Sequence, residues 1–237
     1  RGEDDLGELQ GGPMYVIQEG LGQKFKPLAV LFSTAGLIGC LPMFQANQLT
    51  QYIRDSVFSP LGMFSSNPFI GNVVTGILIA ILVAGVIFGG IKRIGLVAGR
   101  IVPIMVLIYL LGGLGILIKN YDKLGSIFNL IITDAFTGNA VVGGIVGEVI
   151  RQGIRRAVFS NEAGLGTEVM AHGAAKTKEP VREGLVAMLG PFIDTILVCS
   201  ITAFAILVSG VWNDPTLNGV SMTAKAFSNE LGLLGEF

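Results

Sequence analysis

"RAVFSNEAGLGTEV", Arg156 to Val169, places an arginine, two acids, an asparagine, a serine, a threonine and two glycines inside a chain that is otherwise mostly apolar. Ser160 and Asn161 favour caps and turns over helix interiors, because their side chains compete for backbone hydrogen bonds. Gly164 and Gly166 relax the backbone. Helical composition resumes at "TEVMAHGAAKT", with Thr167 placed to cap it. The stretch reads as two half-helices joined by an unwound turn.

The rest of the chain says where that turn sits. Of 237 residues, 51% are hydrophobic, 14% are charged and 34 are glycine. The mean hydropathy is +0.68. Soluble domains carry about 25% charged residues and about 7% glycine. An apolar, charge-poor, glycine-rich chain is the profile of a helical membrane protein, where small residues let helices approach closely. Formal net charge is -1 and no long basic run is present, so nucleic-acid binding has no electrostatic support. Cys40 and Cys199 both lie in apolar segments and read as buried small residues. The first residues, "RGEDDLGELQGG", are acidic and polar and form no signal peptide. Arg1 stands where an initiating Met belongs, so the chain is expected to be an internal piece of something longer.

Five apolar stretches stand out: 27–53, 73–91, 101–118, 140–175 (broken near 159–166) and 184–212. A crossing of the hydrocarbon core takes about 20 apolar residues. These runs are too long for strands and lack period-two alternation. The expected class is an all-α membrane protein, multi-pass, with about five transmembrane segments, one of them broken. Lys and Arg favour cytoplasmic loops. Arg1, Lys24, Lys26, Lys92, Arg93, Arg100, Lys176, Lys178 and Arg182 fall on one side, against Arg54, Lys119, Lys123 and Lys225 on the other. Residues 1–26 are then a cytoplasmic loop and 213–237 an extracellular-side segment, which requires the broken segment to cross. Just before the break, Val142, Ile145, Val146, Val149 and Ile150 share one helical face, and Glu148, Arg151, Gln152, Arg155 and Arg156 the other. Such a helix lies either on the membrane surface or along a water-filled vestibule, because each charge costs at least about 2.5–3.5 kcal/mol near the bilayer centre.

Within a membrane, non-helical backbone persists only where it is buried in protein or lines a cavity. Half-helix N-termini attract carboxylates and unwound carbonyls attract cations. With Asn161 and Glu162 at the break, a ligand site is the stronger reading; a kink satisfied by neighbouring helices is the other. Pro42 interrupts the first span and is followed by Gln45, Asn47 and Gln48. Gln45 and Gln48 share a face and either bind a polar ligand or join helices. Asp194, beside Thr195 in the last span, is either a functional acid or a partner for a neighbouring helix. His172, the single histidine, fits a solvated or packing role better than a proton relay. One histidine, two remote cysteines and no clustered acids make neither a catalytic set nor a metal site. "GGIKRIG" and "GGLGIL" follow no strand and carry no nucleotide signal.

"GGPMYVI" at 11–17, "GGIKRIG" at 89–95, "GIRRAVFSNEAGLGTE" at 153–168 and "KTKEPVREGLVAMLGPFIDT" at 176–195 resemble the alanine/glycine:cation symporter family, also called sodium:alanine symporters or amino acid carrier proteins. The resemblance covers nearly the whole chain and matches the middle portion of longer family members. It implies part of a leucine-transporter-like fold, two inverted five-helix repeats, with the five spans as the third to seventh helices. It implies sodium- or proton-coupled uptake of alanine and glycine across the inner, plasma membrane by alternating access. The pocket would use Phe159, Ser160, Asn161, Glu162, Ala163 and Gly164, with Gln45 closing one wall and Phe159 a lid over the substrate methyl. The main sodium ligands are expected on helices outside this chain. The family more often reads Gly-Ser-Ala-Pro where this chain has Gly166-Thr167-Glu168-Val169, so Thr167 and Glu168 add polarity. A channel subunit and a non-transporting amino-acid receptor are the rival functions; an intramembrane enzyme lacks a catalytic set.

Overall fold

The computed structural model describes residues 2–3, 9–136, 146–173, 175 and 177–235. Val142 and Ile145, assigned above to an apolar helix face, lie outside the described residues. A two-residue antiparallel ladder pairs Gly2–Glu3 with Leu9–Gln10. Otherwise the chain is helical. The elements are α1 (Pro13–Leu21), α2 (Lys26–Gly39), α3 (Met43–Ile53), α4 (Pro68–Ile87), α5 (Gly90–Lys119), α6 (Tyr121–Phe136), α7 (Val146–Phe159), α8 (Glu162–Leu165), α9 (Glu168–Gly173), α10 (Pro180–Ala187), α11 (Leu189–Pro191), α12 (Cys199–Ser209) and α13 (Val220–Leu231). Phe192–Val198, between α11 and α12, winds as a π-helix.

Four helical stretches among the described residues are long and apolar enough to cross a membrane: Gln23–Phe58, Pro68–Ile87, Lys92–Lys119 and Pro180–Ser209. At about 1.5 Å per residue the shortest, of 20 residues, reaches the roughly 30 Å of a hydrocarbon core. In the most apolar window of each, only 6–11% of residues are buried within the protein. Leu82 is 72% exposed and Phe88 is 90% exposed. A water-soluble chain does not leave apolar surface of this extent bare. The architecture is that of an integral membrane protein.

The helix starts lie further out than the apolar runs. The second span starts at Pro68 rather than Val73, because Asn67 caps it: its side chain accepts from the Phe69 N–H at 3.2 Å, and Pro68 follows as the first helical residue. The last starts at Pro180, again with proline at the first turn. In the first, α2 stops at Gly39 and α3 begins at Met43, so Pro42 does interrupt the helix. All four spans overlap apolar runs named above: 27–53, 73–91, 101–118 and 184–212. The broken segment supplies pieces of 14, 4 and 6 residues, α7 to α9, each shorter than a span. Cys40 and Cys199, expected inside, are free and exposed.

The chain divides into two compact units, residues 1–41 with 131–200 and residues 42–130 with 201–237. In the first, α1 packs along α2, and α8 to α10 follow one another in contact. The backbones at Gly11 and Gly173 meet so closely that a Cβ on Gly11 would stand 2.5 Å from the Gly173 Cα.

In the second unit, α13 packs on α3 and α5. Its core joins Ile116 of α5, Ile127 of α6 and Ala205 and Val208 of α12, flanked by Phe227 and Leu231 of α13. Phe227 stacks on Tyr109 with centroids 5.2 Å apart, and fits because a Cβ on Gly112 would already lie 3.2 Å from its ring. A polar cluster closes the end of this core. Buried Asn120 donates to the Ile116 carbonyl at 3.1 Å and to Glu230 Oε2 at 2.8 Å, while Lys119 Nζ donates to the Glu230 carbonyl at 2.6 Å. Outside the spans, Thr216 donates its hydroxyl and N–H to Asp214, holding that carboxyl below the usual carboxylate range.

Ile116 is fully buried. Ile116→Ala removes its packing at α5, α6, α12 and α13 together and is expected to cost about 2–5 kcal/mol. Chemical unfolding in detergent checks this; an unchanged midpoint contradicts the assignment of the core.

Candidate functional site

The break in α7–α9 is built by short-range hydrogen bonds. Helix α7 ends at Phe159, where Ser160 Oγ folds back to donate to the Ala157 carbonyl at 3.1 Å. Asn161 turns extended, with φ −148° and ψ 159°, and caps α8 through its side-chain oxygen, which accepts from the Gly164 N–H at 2.8 Å. One turn later Gly166 closes α8 in the left-handed region, φ 79° and ψ 9°. A Cβ there would also lie 3.2 Å from the Phe32 ring of α2. Gly164 is small for a different reason: a Cβ on it would sit 2.6 Å from the Val158 carbonyl oxygen. The Thr167 hydroxyl donates to the Glu162 carboxylate, and the Thr167 carbonyl accepts the Met170 N–H at 3.0 Å, starting α9.

The last span holds the break in place. Asn161 Nδ2 donates to Thr195 Oγ1 at 2.9 Å, and Ser160 Oγ lies 3.3 Å from the same oxygen. Both ends of the Asn161 amide are therefore used by the protein: the oxygen shapes the turn, the nitrogen ties it to Phe192–Val198. Thr195 sits in that π-helical stretch, whose extra residue per turn is a device common at functional sites.

Between them lies a cavity of about 530 Å³, within the usual range of ligand pockets. Its walls include Phe159, Ser160, Asn161, Glu162, Thr167 and Asp194, all expected from the sequence, together with Glu168, Ala171, Gly190 and Pro191. Ala163 and Gly164 are in α8 but do not line it. Phe159 is 59% exposed and supplies the one aromatic face. Three carboxylates, Glu162, Glu168 and Asp194, meet no lysine or arginine in the lining among the described residues. The cavity thus favours a cationic group such as an ammonium. In the first turns of α8 and α9 the Gly164 N–H is taken by Asn161 Oδ1 and the Met170 N–H by the Thr167 carbonyl.

Gln45 and Gln48 belong to the second unit. Gln45 is exposed on α3. Gln48 joins helices: its Oε1 accepts the Val220 N–H at 2.8 Å at the start of α13. Gly190 and Pro191 were not anticipated, although they lie four and three residues before Asp194 and so share its helix face. Gly190 admits the Glu168 carboxylate, since a Cβ on it would stand 2.7 Å from Glu168 Oε1.

The sodium:alanine symporter family model matches residues 1–237. The chain belongs to that family. The family consists of transporters, not enzymes. A sodium/alanine symporter of Methanococcus maripaludis is 41% identical, over 94% of this chain and 49% of its own length. An uncharacterized transporter of Haemophilus influenzae is 39% identical, over 98% of this chain and 50% of its own. A sodium/proton-dependent alanine carrier protein of Bacillus sp. strain PS3 is 35% identical, over 82% of this chain and 40% of its own. The chain spans about half the length of the curated relatives it matches.

Gly166→Ala puts a Cβ in the left-handed region and against Phe32, and is expected to destabilise by about 1–2 kcal/mol. Gly20→Ala, in α1 with nothing within 4 Å, is expected to stabilise by roughly 0.5–1 kcal/mol. Melting in detergent measures both; equal shifts of the same sign contradict the assigned backbone geometry.

Proposed function

We propose that the protein takes up small neutral amino acids, alanine and glycine foremost, driven by a sodium or proton gradient. The carrying observation is the cavity at the helix break, with three carboxylates and one aromatic face among its described lining residues. A zwitterion matches each part. Its carboxylate is held by first-turn N–H groups of the half-helices. Its ammonium faces the acids, and Phe159 covers a small side chain. Asn161 and Thr195 position the turn rather than bind substrate, since both ends of the Asn161 amide are committed. The cation travels as a co-substrate.

The architecture that goes with this activity is the leucine-transporter-like fold, crossing the plasma membrane several times, with residues 1–26 on the cytoplasmic side. Alternating access follows from movement of one helix bundle against another. Neither a pore nor a non-transporting receptor is favoured by any feature of the site.

Labelled-alanine uptake into vesicles containing the protein, with and without an inward sodium gradient or a proton gradient, tests the reading. Gradient-dependent accumulation is expected; uptake indifferent to both gradients contradicts it. Asn161→Ala removes the cap and the bond to Thr195 and is expected to lower uptake at least about tenfold, equivalent to about 1.4 kcal/mol, with the membrane level of protein unchanged. A wild-type rate contradicts its positioning role.

A further inference from the structure

A second cavity of the first unit, about 320 Å³, shares Glu168 with the first and is lined also by His172, Glu183 and Tyr15. His172 bridges two carboxylates there. Its Nδ1 lies 2.6 Å from Glu183 Oε1 on α10, and its Nε2 lies 3.8 Å from Glu168 Oε1 one turn back on α9. All three side chains are partly withdrawn from solvent, Glu168 most of all at 14% exposure.

The remaining groups around His172 do not offset this arrangement. Tyr15 faces the same cavity from α1 and turns its hydroxyl to Gln10 Oε1 at 3.4 Å. Arg182 of α10 is exposed and reaches Glu179 at 4.0 Å. Glu162 of α8 takes the Thr167 hydroxyl. No lysine or arginine lines this cavity among the described residues.

An ionised carboxylate only accepts hydrogen bonds, and a neutral imidazole has a single N–H to donate. A ring with a carboxylate at each nitrogen satisfies both only as the imidazolium. We propose that Glu168, His172 and Glu183 form a proton-binding site whose occupancy sets the charge that Glu168 presents to the substrate cavity. This rests on reading that neighbouring cavity as an amino-acid site. With the proton bound, the imidazolium donates to Glu183, attracts the Glu168 carboxylate across 3.8 Å and draws it away from the substrate. When the proton leaves to water, the N–H that remains stays in the shorter contact with Glu183. Glu168 then turns its full negative charge to the cavity, where it attracts an ammonium. Glu168 is thereby the link between proton and substrate.

The test follows substrate affinity across the range where histidine changes charge. In vesicles containing the protein, the apparent KM for alanine is expected to fall at least about threefold from about pH 5.5 to 8. In His172→Gln and in Glu168→Gln it is expected to change less than about twofold, while Glu179→Gln, outside the cluster, keeps the wild-type profile. A wild-type KM insensitive to pH, or a His172→Gln profile matching wild type, overturns the proposal. A second measurement needs no transport. In detergent, the melting temperature of wild type is expected to exceed that of His172→Gln at low pH, the gap closing toward pH 8, because the stabilising contacts exist only while the ring is protonated. A pH-independent gap overturns the proton site. A closing gap in a protein that shows no uptake supports the proton site and contradicts the transport reading alone.

Discussion

A peptide group freed from a helix must find another partner, so a turn that breaks a helix lasts only where one is supplied. That constraint organises this chain. The turn at 160–161 survives because Asn161 supplies both requirements from one amide: an acceptor for the Gly164 N–H and a donor to Thr195. Serine at this position is too short to do both, and aspartate lacks the donor. The π-helical stretch around Thr195, the left-handed Gly166 and the tight approach of Gly164 to the Val158 carbonyl are the local consequences. The cavity is what these deviations from regular helix leave between them.

The second unit shows the contrasting regime. Its helices meet through small residues, one stacked aromatic pair and a Tyr109–Thr202 hydroxyl contact, and a further polar cluster lies at helix ends. Asn120, Lys119 and Glu230 seal the close of α5 and α13, and Gln48 caps the start of α13. Lipid cannot drive such helices together as water does, so close packing and interhelical hydrogen bonds carry the association. The helix-joining reading of Gln48 thus has a concrete partner, and the same device recurs where Thr195 meets the break.

Much of this is legible in the residues. The break announces itself in Ser160-Asn161 and in two glycines two apart, because each residue acts through local backbone chemistry. The long apolar helices follow from composition. Their ends were harder: the Asn67 cap and Pro68 were present in the sequence but outvoted by the apolar run that begins at Val73. Helix α6 carries Asp122, Lys123 and Asp134 and no span-length apolar run, so hydrophobicity alone passes over it. Tertiary partners are a different matter. Asp194 and Thr195 stand out as polar residues at depth, yet nothing in the chain says that Thr195 meets Asn161. His172 reads as an isolated histidine until Glu183, eleven residues on, is folded back against it.

The central claim is that a small amino acid occupies the space beside the Asn161 turn. Ser160 lines that space, so a cysteine placed there reports occupancy. The rate at which a small maleimide labels Ser160→Cys in membranes, with cysteines 40 and 199 replaced, measures it directly. L-alanine with sodium is expected to slow labelling in a saturable way; labelling that proceeds equally fast with and without alanine contradicts the account.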